Sequence, residues 1–134
     1  MNHLHLLAAL IVLAGLVATL SGAAADTPAP DGKGELLHVV SLKFKPGATP
    51  EQIKLVEQSF AGLKEKIPGI TWLKWGTNVS PEKHDKGFTH CFVLSFASEK
   101  DRDAYLPHPA HKDFGKVLGP AMEDVMVIDF TAKE

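Results

Sequence analysis

Five residues stand out by type: His38, His90, Tyr105, His108 and His111. An imidazole with its usual pKa of about 6.5 can take a proton near neutral pH, and a phenol can give one to a developing oxyanion. A convergent tyrosine–histidine set is therefore equipped for general acid–base work on a carbonyl compound. His38 and His90 each open an apolar alternation: with a period of two, His38, Val40, Leu42 and Phe44 share one strand face, and His90, Phe92, Leu94 and Phe96 share another. A core-facing imidazole costs free energy unless it is partnered, so each is either a strut or part of a pocket wall. Tyr105 and His111 lie six residues apart across Pro107 and Pro109. The plainer alternative is that Tyr105 packs its ring and ties its hydroxyl to backbone, while His111 caps the helix that follows.

The same histidines allow a second chemistry, because His108 and His111 are three apart and His38 and His90 could converge near them as a histidine metal site. Pro109 directly after His108 bends the segment, and no carboxylate motif accompanies it, so no metal and no cofactor is assigned. His84 stands among Lys83, Asp85 and Lys86 and reads as surface.

The elements that must position these groups follow from pattern and punctuation. A strand over residues 35–45 stops at Pro46-Gly47, and a helix follows with Thr49 as its cap, Pro50 in its first position and Gln52 completing a capping box. Ile53, Val56, Phe60, Leu63 and Ile67 recur along it at helical spacing until Pro68-Gly69. A second strand spans 70–79, a polar loop 80–87 and a third strand 88–97. Ser98 then caps a short helix that carries Tyr105 near its end, a further helical piece covers 110–118, and a last strand spans 123–131. This order, β-α-β-β-α-β, predicts an α+β, ferredoxin-like sandwich with both helical layers on one sheet face. The first and third strands are expected side by side and parallel, which would bring His38 and His90 together at one sheet edge. Trp72 and Trp75 fall on opposite faces of the second strand.

Ahead of the domain, residues 6–20 form an apolar run followed by Ser21-Gly22-Ala23-Ala24-Ala25-Asp26, which reads as a secretory signal cut after Ala25. The expected organisation is a signal over 1–25, a flexible lead-in over 26–34 and one domain over 35–132. Such a product is exported, periplasmic or extracellular, and has no membrane anchor after cleavage. Cys91 is the single cysteine and lies on the opposite strand face from His90, so it forms no intrachain bridge. The net charge of −2, with both signs interspersed, gives no basic stripe for nucleic acid.

Several segments carry a resemblance: His38-Val39-Val40-Ser41-Leu42-Lys43-Phe44-Lys45, Gly87-Phe88-Thr89-His90, Tyr105-Leu106-Pro107-His108-Pro109-Ala110-His111 and Asp129-Phe130. Through them the domain resembles the Dabb family of stress-responsive α/β barrels. The resemblance implies a homodimer in which two sheets face one another as a dimeric α/β barrel, with a pocket between sheet and helices in each subunit. It also implies site residues, since a plant polyketide cyclase of the family, working without metal or cofactor by intramolecular aldol condensation, has a catalytic tyrosine and histidine that match Tyr105 and His111. Two further pocket histidines of that enzyme match His38 and His90, and a pocket tyrosine falls at Phe60, which lacks the hydroxyl. The expected function is binding of a small apolar or carbonyl-bearing ligand in a pocket lined by His38, Phe60, His90 and His108. The alternative is a cyclase or lyase with His111 as base and Tyr105 as acid.

Overall fold

The computed structural model describes residues 34–133, so the expected signal and nearly all of the lead-in lie outside the described residues. β1 (Leu36–Phe44) runs to the Pro46-Gly47 turn and α1 (Pro50–Ala61) follows. The capping box forms as its residues require: Thr49 Oγ1 accepts from the Gln52 N–H and the Gln52 side chain accepts from the Thr49 N–H. The helical stripe is interrupted at Gly62 and resumes in α2 (Leu63–Lys66), with Val56, Phe60, Leu63 and Ile67 all buried. β2 (Ile70–Thr77) and β3 (His90–Phe96) follow, then α3 (Glu99–Tyr105), whose cap Ser98 accepts from the Asp101 N–H. α4 (Pro109–Leu118) and β4 (Met122–Thr131) complete the domain.

The sheet has the order β2-β3-β1-β4, and each neighbouring pair is antiparallel. β1 and β3 are adjacent as expected, but they are antiparallel rather than parallel. The helical crossover makes β1 and β2 run the same way, and β3 turns back from β2 to lie between them, so it opposes both. His90 therefore pairs with Leu42 while His38 pairs with Leu94. Four residues along a strand separate the two histidines by roughly 14 Å. They occupy opposite ends of the core instead of one edge.

Residues directly opposite one another share a face. His38, Val40 and Leu42 therefore lie on the helix side with Asp129, Val127 and Val125 of β4. Phe60, Phe92, Phe96, Leu94, Tyr105 and Phe114 fill the space between this face and the helices. The other face carries Ser41, Cys91, Val93 and Met126, which help line a cavity of about 640 Å³ beside the β2–β3 loop. Trp72 pairs with Ser95 and Trp75 with Phe92, on opposite faces as the alternation predicts.

Candidate acid–base site

Tyr105 closes α3, and the chain turns through Leu106 and Pro107 into α4. His108 is the cap of α4: its Nδ1 accepts from the Ala110 N–H at 3.1 Å, with Pro109 in the first helical position, where a missing N–H costs nothing. The capping role considered for His111 thus belongs to His108. One turn into α4, His111 reaches back so that its Nδ1 lies 2.9 Å from the Leu106 carbonyl oxygen. A carbonyl only accepts, so Nδ1 carries the hydrogen and Nε2 presents its lone pair.

The Tyr105 ring packs 4.4 Å from that of His111, 5.6 Å from that of His38 and 5.3 Å from that of Phe96, centroid to centroid. Tyr105 is 1% exposed, and burial pushes its phenol well above the ordinary value, so the hydroxyl remains protonated. Among the described residues it makes no hydrogen bond, yet no fully buried polar side-chain atom there is left without a partner. Burial also holds the His111 pKa below its ordinary value, with the nearby His38 acting in the same direction and the bond to Leu106 opposing. His111 is neutral near pH 7. A protonated phenol and an unprotonated imidazole thus lie in contact, each in the state its role needs.

His38 is buried and donates from Nδ1 to Asp129 Oδ1 at 2.6 Å, while the other Asp129 oxygen accepts from Arg102 of α3. This chain ties β1, β4 and α3 together behind Tyr105 and fixes the His38 ring. His90 belongs to a separate cluster. Its Nε2 donates to Glu57 Oε1 at 2.9 Å, its Nδ1 lies 2.9 Å from the Thr89 hydroxyl, and Phe44 and Trp75 flank the ring. Phe60 is likewise elsewhere, stacked 3.9 Å from Phe92 and tilted against Phe114 at 4.6 Å.

Of the residues singled out from sequence, the structure brings together Tyr105, His111 and His38, leaves His90 at the far end of the sheet, and uses His108 as a helix cap. Neither Tyr105 nor His111 lines the 640 Å³ cavity, which lies across the sheet from them. Sequence reasoning missed Asp129, Arg102 and Glu57 as partners. A signal existed for the first, since Asp129 continues the core-facing phase of Val125 and Val127 as a charged residue.

Residues 36–132 match the stress-responsive A/B barrel domain, Dabb. The chain belongs to this family. It is 34% identical over 100 residues to the stress-response A/B barrel domain-containing protein HS1 of Arabidopsis thaliana, covering 75% of this chain and 92% of that protein. It is 30% identical over 97 residues to olivetolic acid cyclase of Cannabis sativa, covering 72% and 96%. Among solved structures, hydroxynitrile lyase from Passiflora edulis superposes with a TM-score of 0.70 at 27% identity, covering 75% of this Dabb chain and 94% of the lyase. A dimeric ferredoxin-like protein from Jannaschia sp. CCS1 superposes with a TM-score of 0.65 at 25% identity, covering 74% and 100%. The fold is the ferredoxin-like one of dimeric Dabb proteins, and its dimeric relatives support a homodimer here.

Proposed function

We propose that this Dabb domain is a cofactor-independent acid–base catalyst acting on a small carbonyl compound or its hydroxynitrile. The observation that carries the reading is the contact of Tyr105 with His111, at 4.4 Å between ring centroids, in which Nδ1 of His111 is committed to Leu106 and Nε2 is left as the base. Nε2 takes a proton from the substrate carbon beside a carbonyl, giving an enolate whose oxygen accepts from the Tyr105 hydroxyl, or it takes the hydroxyl proton of a hydroxynitrile, whose oxygen becomes the carbonyl as the C–CN bond breaks and cyanide leaves with the electron pair, to be protonated by the His111 imidazolium. His38, held by Asp129, lines the same site. Relatives named as a cyclase and as a hydroxynitrile lyase support this reading, since ring closure by carbonyl condensation and hydroxynitrile cleavage each need a base that removes a substrate proton.

The test is turnover of a panel of hydroxynitriles and short linear polyketones by the parent, His111→Ala and Tyr105→Phe. Activity on at least one compound that falls by about 10²-fold or more in each variant is expected. A fully active His111→Ala protein refutes the assignment. A second reading, a ligand-binding or barrel-stabilising module of the stress-responsive family, is favoured by the Phe60–Phe92 stack, which fills the interior where a pocket was expected. The apolar run over 6–20 supports export, and amino-terminal sequencing of the mature protein should begin at Asp26.

A further inference from the structure

The cluster around His90 stands at the far end of the sheet from Tyr105 and His111 and takes no part in the acid–base reading. Its backbone is fixed first. In the β2–β3 loop the Asp85 side chain accepts from the Gly87 N–H at 2.7 Å and the Asp85 carbonyl accepts from the Phe88 N–H at 2.9 Å, while Lys86 and Gly87 both take positive φ, 52° and 87°. This tight turn delivers Thr89 to the end of the sheet. There its N–H donates to the Leu42 carbonyl at 3.0 Å and its carbonyl accepts from the Asn78 N–H at 2.8 Å. Thr89 is therefore held by its backbone from both sides, although the residue itself is exposed.

The side chains then form a relay. The Glu57 carboxylate of α1 only accepts, so His90 Nε2, 2.9 Å away, carries the hydrogen and Nδ1 of the neutral ring keeps its lone pair. The Thr89 hydroxyl donates to that lone pair across 2.9 Å. A hydroxyl on one imidazole nitrogen, with a carboxylate holding the other, is the arrangement that activates a hydroxyl as a nucleophile. Phe44, edge-on at 5.0 Å, and Trp75, stacked at 6.3 Å, fix the buried ring. Thr89 and His90 also line the cavity of about 640 Å³, a volume that holds a small organic ligand. Trp75, Phe88 and Val93 give it an apolar wall, and Asn78 and Lys86 bring N–H donors to it.

We propose that Thr89, His90 and Glu57 form a second catalytic site, which hydrolyses carboxylic esters with an apolar acyl group. Thr89 Oγ1 bonds to the ester carbonyl carbon as its proton passes to His90 Nδ1, and the carbonyl oxygen takes the displaced electron pair, with Asn78 and Lys86 as the donors available to it. Collapse breaks the bond to the alcohol oxygen, which leaves with its electron pair and takes the proton from Nδ1. Water then bonds to the acyl carbon as it gives a proton to Nδ1. Thr89 Oγ1 departs with the electron pair of its bond to that carbon, regains the proton and releases the acid. Glu57 is a positioning residue: it holds the ring through Nε2 and balances the imidazolium charge, and takes no proton itself.

Two probes test this on the full-length protein: p-nitrophenyl butyrate, followed by nitrophenolate release, and an alkyl fluorophosphonate, whose adduct is located by peptide mass spectrometry. The parent should release many equivalents of nitrophenolate per chain and carry the phosphonyl group on Thr89. Thr89→Val swaps the hydroxyl for a methyl group at an exposed position, so it should fold, and it should lose turnover by about 10³-fold or more together with the adduct. Thr89→Ser should keep both. Glu57→Gln retains an acceptor for Nε2 without the charge, and should lower kcat by about tenfold with KM unchanged. Unchanged turnover in Thr89→Val overturns the proposal. So does an adduct found only on a lysine or on His111, and so does a parent that neither turns over the ester nor takes the label. An unaltered kcat in Glu57→Gln overturns the role given to Glu57.

Discussion

Replacing His38 by alanine tests whether the His38–Asp129–Arg102 chain supports the fold as well as the site. Two losses add. The imidazole packs edge-on against Tyr105 at 5.6 Å and Phe96 at 6.4 Å, and deleting a buried ring of that size costs about 2 kcal/mol. Its hydrogen bond to a carboxylate contributes about 1.5 kcal/mol net. Asp129 keeps Arg102 and is 26% exposed, so it is not stranded and no further penalty arises. The sum is about 3–4 kcal/mol, or roughly 15–30 °C in Tm for a domain of this size. Urea unfolding at matched protein concentration should show a lower midpoint with an unchanged slope. Because Asp129 serves both His38 and Arg102, the double variant with Asp129→Ala should cost less than the sum of the two single changes. A His38→Ala protein within about 1 kcal/mol of the parent, or a strictly additive pair, would falsify the role given to this chain.

Burial holds the His111 pKa in the fold below its unfolded value of about 6.5, so the unfolded chain binds more protons in mild acid. Stability should therefore decline as the pH falls below about 6.5 toward the folded value, and His111→Gln should flatten that part of a stability–pH curve measured by thermal melts. Catalysis should correspondingly persist to a more acidic pH than an ordinary histidine base allows, which a kcat/KM profile will show. Tyr105→Phe should retain the parent's stability to within about 1 kcal/mol, because the hydroxyl removed has no partner among the described residues, and a large loss would reveal a structural hydrogen bond. Phe60→Ala should cost about 3–5 kcal/mol through the cavity left against Phe92 and Phe114, read by urea unfolding; a near-neutral result would mean that the interior is loosely filled.

The fold was legible because local signals agreed with one another. Thr49, Pro50 and Gln52 announced one helix start and Ser98 another, and the alternation around His38 and His90 correctly placed both rings on the helix side. Strand direction was not carried by any such signal. Whether β3 runs with or against β1 depends on the connection between β2 and β3, and an apolar alternation reads identically in either direction. That single property decides which residues meet, so His38 and His90 were expected together and are found at opposite ends. The contact of Tyr105 with His111 was equally invisible, since it depends on how tightly the chain turns at Leu106 and Pro107. The split of the first helix at Gly62 leaves the apolar stripe intact, which is why periodicity alone reads it as one helix.

β4 has apolar side chains on both faces, with Val125 and Val127 on one and Met126, Ile128 and Phe130 on the other. A strand of that kind is nearly indifferent to sliding by one residue, because the set it would turn toward the helices after the slip is as oily as the set it turns there now. Asp129 removes the indifference. Shifted by one position, it would leave His38 facing Ile128 or Phe130, with a buried donor unmet and Arg102 without its carboxylate. The pair therefore acts as a pairing checkpoint for the last strand in chain order. A chain that has lost it would be expected to misalign at this edge and expose a ready template for aggregation.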